Sequence, residues 1–302
     1  MRPPAAGRPA AAGYFRRAAF SLPARSEEAA VSACWEAGCL GVQVAGWRPG
    51  ARPRTVTLTA FFPPAERPAS LSRRLAAALR PAGLRSGPRL TREPRRAWAE
   101  IFQRSLRPMP IGRHLLVVPQ GCRPPARNRR RVVRVRFGQA FGTGEHRTTR
   151  LCLRLLQSAL RPGDLAIDLG TGSGILAIAA AALGASRVLA VDRDPIALRV
   201  ARGNLADNGA SGRVILLEAD AARACRRRGG RFDLAVANID AATVGRILPD
   251  LSAALRPGGR AILSGFLTRD ERGIAARARA AGLRLRSRLR SAPWSALLLA
   301  RR

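Results

Sequence analysis

The chain contains no lysine, one tyrosine and two histidines in 302 residues, and only 19 acidic residues stand against 54 basic ones. Every basic side chain is therefore arginine, and the net charge is +35. The excess of Ala, Gly, Pro and Arg is a mix that GC-rich codons alone would produce. Whatever its origin, a surface with this charge attracts RNA and other polyanions without regard to sequence. The cysteines, Cys34, Cys39, Cys122, Cys152 and Cys225, are odd in number, and no C-x-x-C pairs them. That pattern indicates neither a disulfide framework nor a metal site, and it fits reduced thiols in a cytoplasmic protein. The longest apolar run, Ile175 to Ala185, is too short to span a bilayer. Residues 1–12 have arginines and no acid, but the whole chain is arginine-rich, so they read as a disordered leader.

The length suits two domains. Phe15 to Leu22 reads as a strand, and Ser26 to Gly38 as a helix with Ser26 as its cap. Leu40 to Val44 and Thr55 to Phe62 alternate as strands do, and Leu71 to Leu79 makes a second short helix. The β-α-β-β-α order over residues 13–80 predicts a small ferredoxin-like α+β domain. Residues 81–136 read as a linker region: a Pro/Arg-rich stretch, a helix containing Trp98 and Phe102, a strand from His114 to Pro119, and an exposed basic run over residues 121–131. From residue 137 onward strands and helices alternate, which predicts an α/β domain with a doubly wound parallel sheet. Leu283 to Leu289 and Trp294 to Leu299 then read as two antiparallel closing strands.

The most informative residues are Asp168-Leu169-Gly170-Thr171-Gly172-Ser173-Gly174, between an apolar strand and an apolar helix. Glycine permits unusual dihedrals and lets a ligand approach main-chain amides. Dinucleotide folds use G-x-G-x-x-G to seat a pyrophosphate on the helix N-terminus. Here the third glycine comes one residue early. This tighter spacing suits S-adenosylmethionine (AdoMet), which has no phosphate to cradle. Asp192 ends the next strand, twenty-two residues after Gly170, where a carboxylate can accept both ribose hydroxyls.

Asp168 could bond the turn amides or the cofactor's amino group. Asp220, ending a third strand, could meet an adenine amine or cap a helix. Asn238 is polar at the tip of the apolar strand Phe232–Asn238, and it could hold a substrate amine, face the cofactor, or cap the following helix. Ile239-Asp240 follows where nucleobase amino-methyltransferases carry Pro-Pro-aromatic, so a flipped base would find no aromatic floor. Thr148 and Thr149 stand at the start of a helix whose inner face is Leu151, Leu153, Leu155 and Leu156, after a glycine-rich segment over residues 137–144. A lone His146 there is more often structural than catalytic.

Phe141-Gly142-Thr143-Gly144-x-His146-x-Thr148-Thr149, followed by the Asp168–Gly174 motif, resembles the ribosomal protein L11 methyltransferase family. Arg96-Ala97-Trp98, Ile111-Gly112-Arg113, Ala237-Asn238-Ile239, Leu263-Ser264-Gly265 and Trp294-x-Ala296-Leu297 extend the likeness over roughly residues 96–300. The resemblance implies a class I methyltransferase fold. It also implies AdoMet-dependent methylation of lysine side chains and an N-terminal amine on a large-subunit ribosomal protein. By position, Thr149, Gly170, Asp192 and Asn238 match its cofactor-contacting residues, with Gly172, Gly174 and Asp168 beside them. It also implies that the N-terminal domain holds the substrate. Glu145, Arg147, Ile239 and Asp240 depart from the family pattern, on the substrate side of the site. The rival expectations are a methyltransferase for other lysines or for RNA, and a catalytically silent RNA-binding protein of the same shape. The intact glycine turn, Asp192 and Asn238 argue against the silent form.

Overall fold

The computed structural model describes residues 14–45, 54–64, 67–80, 83, 88–94, 107–136, 146–227 and 229–302. Contacts between Cα atoms divide the chain into two compact units, Met1–Ser105 and Leu106–Arg302. Residues 1–12, read above as a leader, lie outside the described residues. So do the helix expected around Trp98 and Phe102 and the whole glycine-rich segment before His146.

The first unit runs β1 (Tyr14–Pro23), α1 (Glu27–Glu36), β2 (Gly41–Ala45), β3 (Thr55–Phe62), α2 (Pro68–Leu79) and β4 (Arg89–Pro94). Its strands lie in the order β2-β3-β1-β4, every neighbour antiparallel. This is the ferredoxin-like arrangement. In β3 the alternate residues Val56, Leu58, Ala60 and Phe62 are buried, as a strand period of two requires. Leu71, Leu75 and Leu79 recur every fourth residue on α2 and join the same core as Ala30, Ala33 and Cys34 of α1. Ser26 ends a short 3-10 turn, Ala24–Ser26, that leads into α1. The expected boundary at residue 80 also falls too early. β4 pairs along β1 from Tyr14↔Pro94 to Ala19↔Arg89, so this sheet needs residues to 94.

The second unit opens with a small sheet of β5 (Met109–Ile111), β6 (Leu115–Pro119) and β7 (Arg131–Val135). Residues 81–136 are therefore not one linker: their first strand completes one unit and the next three belong to the other. The basic run over 121–131 connects β6 to β7, and most of its side chains are exposed.

The main body then alternates: α3 (Arg147–Ala159), β8 (Leu165–Leu169), α4 (Ile175–Leu183), β9 (Arg187–Asp192), α5 (Pro195–Asp207), β10 (Val214–Glu218), α6 (Ala221–Arg226), β11 (Phe232–Asn238), α7 (Ala241–Ala254), β12 (Leu255–Leu267), α8 (Glu271–Ala280), β13 (Leu283–Ser291) and β14 (Trp294–Arg301). The seven strands lie in the order β10-β9-β8-β11-β12-β14-β13. The first five are parallel, and β14 is antiparallel to both neighbours. This is the class I methyltransferase sheet. One core packs α3, α4 and α5 on one side, and a second packs α6, α7 and α8 on the other. The inner face expected for α3 is buried at Leu151, Leu153, Leu155 and Leu156. β8 and β11 are neighbours whose connections leave in opposite directions, so their carboxyl ends flank the topological switch point where such sheets bind ligands. Among the described residues, no helix is long and apolar enough to cross a membrane.

Candidate functional site

The chain leaves β8 through a turn in which Gly170, Gly172 and Gly174 all take left-handed dihedrals, with φ of +72°, +53° and +81°. A side chain at any of them would be strained. The amides of Gly170 and Thr171 both donate to the Val191 carbonyl, at 2.8 and 2.9 Å, and tie the turn to β9. Gly174 caps α4, and its amide returns to the Thr171 carbonyl.

Asp168 faces inward. Its Oδ2 accepts the Thr171 hydroxyl at 2.6 Å, and only 1% of the residue is exposed. This bond holds the turn through a hydroxyl, and the Asp168 Oδ1 is buried with no hydrogen-bond partner among the described residues. Burial pushes its carboxyl up to about 7. The Thr171 hydroxyl and the Ala177 amide pull the other way, and the charge of Asp192 adds to the rise.

Asp192 ends β9 beside this turn. Its Oδ2 accepts the Gly172 amide at 2.9 Å and its Oδ1 the Asp194 amide at 3.0 Å. A carboxylate offers about four lone-pair directions, so two amide bonds leave acceptor capacity for a diol. Asp220 instead caps α6, accepting from the amides of Ala222 and Arg223.

Asn238 ends β11, one residue beyond the register pair Ala237↔Leu169, so it stands beside Gly170 across the switch point. It is not a helix cap: Asp240 takes that place on α7 and accepts from Thr243 N at 2.9 Å. The Asn238 Nδ2 donates to Thr149 Oγ1 at 3.2 Å. Its Oδ1 is buried and has no hydrogen-bond partner among the described residues. A buried amide oxygen left this way costs free energy until something fills it.

The turn after β11 passes between two glycines. A Cβ on Gly170 would overlap the Ile239 side chain, and one on Gly265, at φ +93°, would overlap the Ile239 main chain. Thr149 lies fully buried in the first turn of α3, with Thr148 before it. His146 caps that helix. Its Nδ1 sits 2.6 Å from Thr148 Oγ1 and accepts from the Thr148 amide, so its ring is committed to holding the helix start. Burial, then the Arg147 charge, lowers its pKa. The ring meets Trp294 edge-on at 4.9 Å, and Arg147 donates to the Ala292 carbonyl at 2.8 Å.

Thr149, Asp168, Gly170, Gly172, Gly174, Asp192 and Asn238 therefore gather at the carboxyl edge of three adjacent strands and one helix start. Sequence reading missed Asn204, which bonds the Ser173 carbonyl of the turn, and Asn208, which clips Arg134 of β7 away from the turn.

Residues 26–302 match the family described as Ribosomal protein L11 methyltransferase (PrmA). A curated relative of that name from Pelotomaculum thermopropionicum is 42% identical over 200 residues, covering 66% of this chain and 64% of its own. The match thus spans just under two thirds of that relative's length. Another, from Carboxydothermus hydrogenoformans, is 31% identical over 246 residues, covering 82% and 79%. A crystal structure of ribosomal protein L11 methylase from Lactobacillus delbrueckii subsp. bulgaricus is similar at 32% identity and a TM-score of 0.59, covering 65% of this chain and 98% of that one.

Proposed function

This chain belongs to the ribosomal protein L11 methyltransferase family, and on that premise we propose that it methylates amino groups of a ribosomal protein at the expense of AdoMet. The acceptors are lysine side chains and an N-terminal amine. The observation that carries this reading is the buried, unpartnered Oδ1 of Asn238 beside the glycine turn. An acceptor of that kind suits an N–H of an incoming amine.

The residues at the edge also fit the cofactor. Three left-handed glycines keep side chains off the turn, and Asp192 retains acceptor capacity for ribose hydroxyls. When bound, AdoMet supplies an electrophilic methyl on a sulfonium. Asp192 holds the ribose end, and its direction is set by two main-chain amides. Asn238 receives an amine N–H on Oδ1 and turns the nitrogen lone pair toward the methyl. Thr149 accepts from Nδ2 and keeps the amide from rotating away.

Deprotonating a free lysine of pKa 10.4 at pH 7.4 costs about 4 kcal/mol, at 1.36 per unit. Desolvation and nearby positive charge lower that cost. Thr148 takes the Nδ1 of His146, which keeps that nitrogen from acting as the base here. The chain's own contribution is then chiefly positioning. The first unit holds none of these residues, and we assign it the holding of the protein substrate. The deciding experiment is incubation with methyl-labelled AdoMet and methyl-free ribosomal extract. Label in one large-subunit ribosomal protein is expected. Label in RNA or scattered over many proteins would replace the substrate, and no label at all would leave a silent fold.

A further inference from the structure

We propose that Asn204 is a positioning residue of the cofactor site: it sets the glycine turn against α5 and so governs affinity for AdoMet. The proposal rests on the cofactor assignment above and extends it to a residue that touches no ligand.

Asn204 is fully buried in the last turns of α5. Its Nδ2 donates to the Ser173 carbonyl at 2.8 Å, and its Oδ1 accepts the Arg136 amide at 2.9 Å. Ser173 lies between Gly172, whose amide holds Asp192, and Gly174, which caps α4. One turn before Asn204 on the same face, Ala201 makes the close approach: a Cβ on Gly174 would come 3.2 Å from its Cβ. The turn is thus pressed on α5 at Gly174 and bonded to it at Ser173. The same helix starts at Asp194, whose amide orients the Asp192 carboxylate. Both halves of the cofactor cradle are consequently referenced to one rigid rod, at its N-cap and in its last turn.

Packing alone does not call for asparagine here. An apolar side chain would fill a buried helix position without a polar group to satisfy. Asn204 has its buried amide satisfied on both sides, by main chain in each case, and main-chain position is what such bonds fix. Asn208 provides the contrast. One turn on, its Oδ1 accepts the Arg134 amide at 2.7 Å and its Nδ2 donates to the Arg134 carbonyl at 2.8 Å, so it clips β7 to α5 without reaching the turn. Arg136 adds a two-pronged ion pair with Asp207, at 2.6 Å on both oxygens. The strand clip is therefore redundant, whereas the bond to the Ser173 carbonyl is one that Asn204 makes and Asn208 does not.

The test pairs Asn204→Asp with Asn208→Ala. Asn204→Asp keeps an acceptor for the Arg136 amide but sets an oxygen against the Ser173 carbonyl. Calorimetric affinity for AdoMet, taken well below each melting temperature, should fall about tenfold or more in Asn204→Asp. In Asn208→Ala it should stay within about twofold of the unaltered protein, even though its Tm drops. With saturating cofactor, methyl transfer by Asn204→Asp should recover to near the normal kcat, because Asn238 and Thr149 are untouched. Should Asn204→Asp not fold, Asn204→Ala removes the donor without adding charge and is read the same way. Equal affinity losses in the two variants, or full affinity in the Asn204 variant, would overturn the proposal. Failure of the unaltered protein to bind AdoMet would instead overturn the cofactor assignment.

Discussion

Asp192 Oδ2 accepts the Gly172 amide at 2.9 Å, so the carboxylate of one strand end and the glycine turn of the next hold each other in place. Replacing Asp192 by Ala removes both the acceptor proposed for the ribose and the support of the turn. AdoMet affinity should fall by about 2 kcal/mol or more, the usual loss for charge-assisted hydrogen bonds. Calorimetry on a folded Asp192→Ala protein measures this, and unchanged affinity would falsify the assignment.

Asn238→Ala should separate binding from transfer. If Oδ1 orients the amine, kcat falls much further than AdoMet affinity. Measuring both on one preparation is enough: losses of equal size would reduce Asn238 to a cofactor contact.

The crossing at Ile239 makes Gly265 intolerant. An alanine there would combine a φ of +93° with overlap on the Ile239 main chain. Gly265→Ala should lose about 3 kcal/mol of stability from the left-handed dihedral and the clash together. Urea unfolding reads this directly. A stability within experimental scatter of the parent would mean that the turn after β11 yields easily.

Glu271 gives an acid limb to the stability profile. It is buried, and Arg290, Arg288 and Ser295 all donate to its oxygens. The hydrogen bonds from Arg290, foremost, hold its carboxyl down at about 2 despite burial. A depressed carboxyl stabilises the fold above its unfolded pKa, so this contribution is complete above about pH 4.5 and lost as pH falls toward 2. Because the two arginines are half exposed, its size is discounted to roughly 2 kcal/mol. Glu271→Gln should lower Tm at neutral pH and flatten its decline between those limits. An unaltered acid slope would assign the limb to other carboxylates.

A chain beginning at Arg107 retains every residue proposed for the cofactor and the whole seven-stranded sheet. It should bind AdoMet with nearly full affinity and lose most methyl transfer to an intact ribosomal protein, since positioning of the substrate is gone. Calorimetry and mass spectrometry of the substrate give the two numbers. Full transfer would remove the first unit from substrate selection.

Much of the second unit was legible because its signals are local. The apolar strand before Gly170, the glycine spacing and the acid at the end of β9 each need only a few neighbouring residues. What escaped depends on distant partners. Arg89–Pro94 is polar and ends in proline, so nothing in it reads as a strand; it is an edge strand, where proline is tolerated, and β1 makes it one. The sheet of β5, β6 and β7 hides within residues 81–136 because Met109–Ile111 is only three residues long. Within the site, Asn238 drew notice as a polar tip on an apolar strand. Asn204 did not, because a buried asparagine in a helix looks like a surface one until the Ser173 carbonyl is seen opposite it.

The placing of β14 between β12 and β13 bears on how the chain is made. During vectorial synthesis the edge strand β13 emerges before the interior strand that must separate it from β12. Until residues 294–301 follow, β12 and β13 both carry unsatisfied main-chain edges, the kind that recruits strands from neighbouring nascent chains. Arg284 and Arg286 line β13 with exposed like charges, while Arg288 and Arg290 are paired with Glu271. Like charges on two copies of such an edge repel, which is how edge strands disfavour pairing with one another before an interior neighbour covers them.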